Sequence, residues 1–218
     1  MVLVSHRYKF IYLKNFKVAG SSVESFFDQF CIDPANQSTY SFIDEANLNV
    51  SEYGIIGSRK IPLDATWFNH KNAEDTKRDI GEEIFNSYLK FCVVRNPYDF
   101  MVSAYYWDRH VDNVDKNIDF KSYCKWYPLT YNRSNLSRIL LNGEKVCDVY
   151  IRFENLREDI SKLCNTLGIK DYDINRLPRH KGRIRPKYSH YQEYYDEETK
   201  EIVSNLFKTE IEMFGYTF

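Results

Sequence analysis

The sequence lacks a long apolar run and has no excess of charge of either sign. Its 218 residues carry 30 Lys and Arg against 31 Asp and Glu, which gives a formal net charge of −1. Non-specific nucleic-acid binding requires a basic field that such a chain does not produce. A membrane-spanning helix needs about 20 consecutive apolar residues. We therefore expect no nucleic-acid partner and no membrane span, and any anion site must be local.

Cysteine is scarce, and its spacing excludes two common uses. The five cysteines are an odd number and form neither a C-x-x-C pair nor a zinc-ligand pattern. This favours reduced thiols over a disulfide framework. With 43% hydrophobic and 28% charged residues, the composition is that of an ordinary globular chain with one core. We expect a single domain over residues 1–218.

The strongest local signal is a turn of small residues between a predicted strand and a predicted helix. It reads Lys17-Val18-Ala19-Gly20-Ser21-Ser22. The apolar run at 10–13 predicts a buried strand, and apolar residues at helical spacing over 23–30 predict a helix. The glycine lets the backbone approach an anion, the serines add hydroxyl donors, and the first-turn amides point at the same spot. The turn therefore predicts a phosphate-binding loop, to which Lys17 adds a full charge.

The order of residues in this turn differs from that in nucleoside-triphosphate loops. Those read G-x-x-x-x-G-K-[ST], with the lysine after the second glycine and the last hydroxyl on magnesium. Here the lysine comes first, and no residue set for magnesium stands beside the loop, so we expect no metal. An ATP-dependent phosphotransferase is disfavoured but remains an alternative. The other alternative is a plain glycine-serine helix start with a surface lysine.

A second strand-to-helix junction has the same character. The apolar run before Arg95 predicts a strand buried on both faces. Asn96 as N-cap and Pro97 at the first helical position predict an abrupt helix start. Arg95 and Ser103, about two turns into that helix, can hold one phosphate between a guanidinium and a hydroxyl. The alternative is a structural ion pair between Arg95 and Asp99.

The remaining pattern predicts βα units around a parallel sheet. We expect a strand at 149–153 and helices at 73–84, 119–127, 133–141, 154–167 and 196–207, whereas 31–60 predicts loops with short elements. The apolar run at 65–68 places His70 at a strand-to-helix junction, where open α/β sheets bind ligands. The basic segment 176–187, broken by proline and glycine, predicts an anion clamp, with a solvated loop as the alternative.

These motifs resemble those of the carbohydrate sulfotransferases, the branch that includes heparan 2-O- and chondroitin sulfotransferases. The first turn is similar to their 5′-phosphosulfate loop, with Val18 and Ala19 as mild departures. The segment Val94-Arg95-Asn96-Pro97-Tyr98-Asp99, with Val102-Ser103-Ala104-Tyr105, is similar to their 3′-phosphate segment. The tail follows the same layout, and it includes Ile151-Arg152-Phe153-Glu154-Asn155-Leu156, Leu167-Gly168-Ile169 and the ending Phe214-Gly215-Tyr216-Thr217-Phe218. The resemblance spans nearly the whole chain. It implies an α/β fold with a central parallel β-sheet flanked by helices, the P-loop-type sulfotransferase fold.

The resemblance also implies an activity and a set of site residues. The enzyme would move a sulfuryl group from 3′-phosphoadenylyl sulfate to a carbohydrate hydroxyl, on a polysaccharide or glycolipid, and release adenosine 3′,5′-bisphosphate. The expected donor-binding residues are Lys17, Val18, Ala19, Gly20, Ser21, Ser22, Arg95, Ser103, Lys181 and Arg183. Lys17 would also be catalytic at the bridging oxygen. His70 is the expected base, since relatives commonly carry a histidine in this interval, and Glu24 is its competitor.

One further alternative is a non-catalytic protein that binds the nucleotide or a sulfated glycan. The stretches that would shape an acceptor pocket, 31–60 and 111–132, carry no recognisable motif, and no oligomeric state is predicted. Because the sequence starts close to the first strand, we expect a cytoplasmic protein. The alternative location is the lumen of the Golgi, for a domain separated from its membrane anchor.

Overall fold

The computed structural model describes residues 2–37, 48–58, 66–130, 134–180, 184–186 and 190–218. The chain divides into two compact units. The first comprises Met1–Val94 and Asn135–His180, and the second comprises Arg95–Ser134 and Lys181–Phe218. Strands and the main sheet belong to the first unit, and helices build the second.

The first unit is organised on a six-stranded sheet. Its strands are β1 (Leu3–Ser5), β2 (Phe10–Tyr12), β3 (Asn49–Ser51), β4 (Gly54–Ile56), β5 (Leu89–Val94) and β8 (Val149–Arg152), while β6 (Leu140–Leu141) and β7 (Glu144–Lys145) form a separate pair. The order in the large sheet is β3-β4-β1-β2-β5-β8. The half made of β2, β5 and β8 is parallel, and β1, β4 and β3 extend it antiparallel. The parallel centre confirms the predicted fold class.

The antiparallel extension is a part of the sheet that the sequence pattern does not predict. Its strands have three residues each, which is too short for a periodic signal. Gly54 allows the β3–β4 hairpin to pack closely against the backbone of Val4 and Cys31. A Cβ at Gly54 would lie 2.1 Å from the carbonyl oxygen of Val4 and 2.9 Å from that of Cys31. Only glycine allows this approach of three backbone segments.

The helices of the described residues follow in chain order. They are α1 (Gly20–Phe27), α2 (Ala73–Ile80), α3 (Glu82–Ser87), α4 (Pro97–His110), α5 (Phe120–Thr130), α6 (Leu136–Ile139), α7 (Leu156–Thr166), α8 (Glu197–Leu206) and α9 (Lys208–Phe214). Helices α1 and α7 supply side chains to the core of the first unit. Phe27 of α1 packs its ring against Phe10 of β2 and Phe91 of β5, at 5.6 and 4.9 Å between centroids. The apolar spacing predicted for the first helix is therefore the face that covers the sheet.

Three predicted elements need correction. Residues 66–72 contain no strand, and His70 lies within a turn rather than after a strand end. The Trp67 carbonyl, ahead of that turn, accepts from Ser58 N. The helix predicted at 73–84 is interrupted at Gly81, whose φ of 88° ends α2 before α3 begins. The helix predicted at 133–141 is reduced to α6, because the chain turns into β6 directly after it.

The second unit begins with the predicted helix start. The side chain of Asn96 accepts a hydrogen bond from Tyr98 N at 3.0 Å, and Pro97 is the first residue of α4. Aromatic rings hold the unit together. Phe100 packs on Phe207 at 5.4 Å, and the ring of Phe218 packs on Tyr98 at 5.0 Å.

All five cysteines are free thiols with buried side chains. Cys31, Cys92, Cys147 and Cys164 lie in the first unit and Cys124 in the second. Burial raises the pKa of the Cys31 and Cys92 thiols, and it raises that of Cys124 and Cys164 to about 12. Within the described residues, no helix has the length and apolar character needed to cross a membrane.

Candidate functional site

The loop between β2 and α1 has the backbone of an anion site. Lys17 and Ala19 adopt left-handed φ angles of 57° and 60°. Ala19 is the N-cap of α1, and its carbonyl accepts from the amides of Ser22 and Val23 at 2.9 and 3.2 Å. An alanine side chain cannot cap the helix, so no N-cap side chain accepts a hydrogen bond from the amides of the first turn. Such amides are suited to a phosphate or sulfate oxygen.

Beneath this loop lies a buried ion pair. Lys14 Nζ is 2.8 Å from Glu24 Oε2, and Glu24 is fully buried. Burial would raise the pKa of the Glu24 carboxyl, but the positive charges around it, Lys14 among them, hold that pKa below its ordinary value. The stem of Lys14 passes over Gly20, where an added Cβ would lie 2.7 Å from Lys14 Cε. Because Gly20 has no side chain, the loop can pack directly against the side chain of Lys14.

His70 lies against the residues that precede Lys17. Its Nδ1 is 3.2 Å from the carbonyl oxygen of Lys14, and its ring is 4.0 Å from that of Phe16. A carbonyl can only accept, so this bond assigns the proton to Nδ1 and the lone pair to Nε2. Burial, followed by the charges of Lys14 and Arg138, lowers the pKa of His70 to about 2. The imidazole is therefore neutral at pH 7.

Asn135 and Arg138, which the sequence analysis did not single out, contact Phe16 and His70. Asn135 bonds to the backbone of Phe16, and Arg138 bonds to the His70 carbonyl. Asn135 is 119 residues from Phe16 along the chain, and Arg138 is 68 residues from His70. No local motif could therefore have indicated these contacts.

The basic segment 176–187 is attached to α1 at His180. The backbone amide of His180 donates to Ser22 Oγ at 3.2 Å, and its Nε2 is 2.8 Å from Ser25 Oγ. The expected clamp residues Lys181 and Arg183 follow directly but lie outside the described residues. His180 is therefore held against α1 by two hydrogen bonds.

In the second unit, Arg95 forms an ion pair with Asp99, the alternative to phosphate binding that the sequence left open. Its Nε and Nη2 lie 2.8 and 2.7 Å from Asp99 Oδ2, and Arg185 Nη1 bonds to Asp99 Oδ1. Burial would raise the pKa of Asp99, but the guanidinium groups of Arg95 and Arg185 lower it. Ser103, partly buried, stands one helical turn beyond Asp99 on the same face of α4. The sequence indicated Arg185 only as part of the basic segment, because its partner lies 86 residues away.

Comparison with known proteins gives two matches. The sequence model that describes the sulfotransferase family matches residues 1–217 of this chain. An uncharacterized protein from Archaeoglobus fulgidus is 31% identical over 94 residues, which are 42% of this chain and 78% of the relative. No solved structure matches.

Proposed function

We propose that this chain, which belongs to the sulfotransferase family, takes its sulfuryl group from 3′-phosphoadenylyl sulfate and transfers it to a carbohydrate hydroxyl. The observation that carries the proposal is the loop at the start of α1, with left-handed Lys17 and Ala19 and first-turn amides that no side chain caps. This loop fits the phosphosulfate end of the donor. Glycine at position 20 is also required by packing, because a side chain there would collide with the side chain of Lys14.

Lys17 is the residue we assign to the leaving group. When the sulfur–oxygen bond to the phosphate breaks, negative charge develops on the bridging oxygen. An ammonium aimed at that oxygen stabilises the transition state more than the ground state. The first-turn amides of α1 would share the remaining charge of the phosphate.

His70 is the residue we assign to the acceptor. The acceptor oxygen forms its bond to sulfur as the bond to the bridging oxygen breaks, and its proton passes to Nε2 of His70. The Nδ1 bond to the Lys14 carbonyl supports this role, because it leaves Nε2 as the nitrogen with the lone pair. The pKa of about 2 makes the free imidazole a weak base, and the negative charge of a bound donor would raise that pKa. Glu24, the competitor, would have to give up a buried ion pair with Lys14 to act as the base.

We assign the 3′-phosphate of the donor to the second unit. Arg95 and Ser103 keep the roles expected from their positions, and Arg185 joins them because it shares Asp99 with Arg95. Two guanidinium groups around one carboxylate retain a net positive charge for a phosphate. Lys181 and Arg183 remain proposed donor ligands of the clamp segment.

The test is a thermal-shift panel followed by a transfer assay. Adenosine 3′,5′-bisphosphate should raise the melting temperature at concentrations where ATP with magnesium does not. Sulfate labelled in the donor should then appear on a polysaccharide or glycolipid acceptor. Stabilisation by ATP with magnesium alone would instead support a phosphotransferase. Binding of the bisphosphate without transfer to any carbohydrate of the panel would support a non-catalytic binder.

A further inference from the structure

We infer that Asn135 and Arg138 are positioning residues that hold the Lys17 loop and His70 in their working arrangement. The inference rests on the proposed function, since it assigns these two residues to the catalysis by Lys17 and His70. Asn135 is the N-cap of α6, and Arg138 lies within this short helix. Every contact involved belongs to the first unit.

Asn135 holds the residue next to Lys17 by its backbone. Phe16 N donates to Asn135 Oδ1 at 2.7 Å, and Asn135 Nδ2 donates to the Phe16 carbonyl at 3.3 Å. The side chain thus bonds to both polar groups of one residue, as a neighbouring strand would. A pair of bonds fixes the orientation of that peptide more strictly than either bond alone.

Arg138 contacts the ring of Phe16, the neighbour of Lys17, and the backbone of His70. Its guanidinium lies 4.0 Å from the centre of the Phe16 ring, and its Nε donates to the His70 carbonyl at 3.1 Å. The ring of His70 also packs on Phe16, at 4.0 Å. Phe16 is therefore in contact with the arginine and the imidazole, and the arginine also bonds to the backbone of His70.

The conformations of Lys17 and His70 explain why such support is needed. Both are non-glycine residues with positive φ angles, 57° and 59°. A non-glycine residue keeps such a backbone conformation only where the surrounding structure holds it there. The bonds to Phe16 and to the His70 carbonyl lie directly beside these two strained positions. Loss of either bond should let the loop or the histidine relax away from the reacting atoms.

The experiment separates positioning from mere packing. Asn135→Ala and Arg138→Met are compared with Arg157→Met, a matched control on α7 whose exposed guanidinium bonds to Asn175. We expect kcat to fall about 10- to 100-fold in the first two variants, the scale of a reacting group misplaced by about 1 Å. The KM for the donor should change less than 3-fold, and the control should match the wild type.

A second readout does not depend on activity. The ¹⁵N resonances of His70 report which ring nitrogen carries the proton, and wild-type protein should show it on Nδ1. In Arg138→Met the Nδ1-protonated signature should weaken to a mixture of tautomers. If Arg138→Met fails to fold, Arg138→Lys replaces it, because lysine keeps the charge but loses the flat stack on Phe16 and the Nε donor.

Two results would overturn the inference. One is normal kcat with a lowered melting temperature, which would make the segment a packing element only. The other is a raised KM with normal kcat, which would make it a binding element. If wild-type protein transfers no sulfate, the proposed function fails, and the positioning of His70 is then decided by the tautomer signature alone: an unchanged signature in Arg138→Met rejects it.

Discussion

At the residue scale, Lys17 provides the most direct test of the proposed chemistry. Lys17→Ala should lower kcat by about 10² or more, because one aimed charge at the leaving oxygen is lost. Binding of adenosine 3′,5′-bisphosphate should weaken far less. Lys9→Ala is the matched control, since Lys9 has a similar φ of 52° but is exposed in the β1–β2 turn. Normal turnover of Lys17→Ala with saturating donor would remove Lys17 from the mechanism.

His70 also makes a prediction about stability at acidic pH. Its pKa is about 2 in the folded chain, lowered first by burial, and about 6.5 in an unfolded chain. Between these two pH values the unfolded state binds one more proton at this histidine than the folded state does. The free energy of unfolding therefore decreases as the pH falls below about 6.5. The melting temperature of wild-type protein should therefore drop more between pH 7 and 4.5 than that of His70→Gln. Parallel curves for the two proteins would contradict a buried, neutral His70.

Arg185 tests the assignment of the 3′-phosphate. Arg185→Ala should weaken adenosine 3′,5′-bisphosphate by about 2 kcal/mol, or about 30-fold, through the loss of a charge-assisted bond. Calorimetry with adenosine 5′-phosphate should show little change, because that ligand has no 3′-phosphate. Arg109→Ala removes another arginine of the same unit, one that packs on Tyr105, and serves as the control. Equal losses for both ligands would reject the assignment.

The residues that sequence reasoning found are those whose signal is local. Asn96 and Pro97 cap and start α4 as predicted, because both rules depend on immediate neighbours. The Arg185–Asp99 pair and the contact of Arg138 with His70 join positions 86 and 68 residues apart. Neither partner carries a pattern that indicates the other, so only the folded chain reveals them.

At the element scale, the Lys14–Glu24 pair ties the end of β2 to α1. Lys14→Met should destabilise the protein by about 3 kcal/mol, because it removes a charge-assisted bond and one of the positive charges that stabilise the fully buried Glu24 carboxylate. The double variant Lys14→Met with Glu24→Leu should recover most of that loss, since it removes both charges. Denaturant unfolding of the two variants measures the difference. A double variant no more stable than Lys14→Met would show that the charges are not what the pair contributes.

The elements predicted well are those that are long or that begin at clear capping residues. The strand β5, with five apolar residues among its six, and the capped start of α4 are both recognisable from the local sequence. The strands β1, β3 and β4 do not, because each is only three residues long and is specified by pairing with its neighbours. Gly54 is informative only in the structure, where it lies against the backbone of Val4 and Cys31. In the sequence it resembles any loop glycine.

At the scale of the whole molecule, the chain order hides the two units. The first is completed by residues 135–180, which return to it after the chain has formed α4 and α5 of the second. The single domain expected from composition and length stays a prediction, since two compact units of one chain can unfold together as one domain. The family match over residues 1–217 spans both units, so both belong to the part of the chain that defines the family.

The buried thiols make the cooperativity of these units measurable. A thiol that is both enclosed and held protonated reacts with an alkylating reagent only while the surrounding structure is transiently open. Cys124 is the single cysteine of the second unit, and the other four belong to the first. Mass spectrometry of alkylated peptides, over a series of denaturant concentrations, therefore yields a separate opening free energy for each unit. We expect Cys124 and Cys92 to become reactive with the same denaturant dependence, as in one cooperative domain. An earlier reaction at Cys124 would mean that the second unit opens while the sheet stays closed.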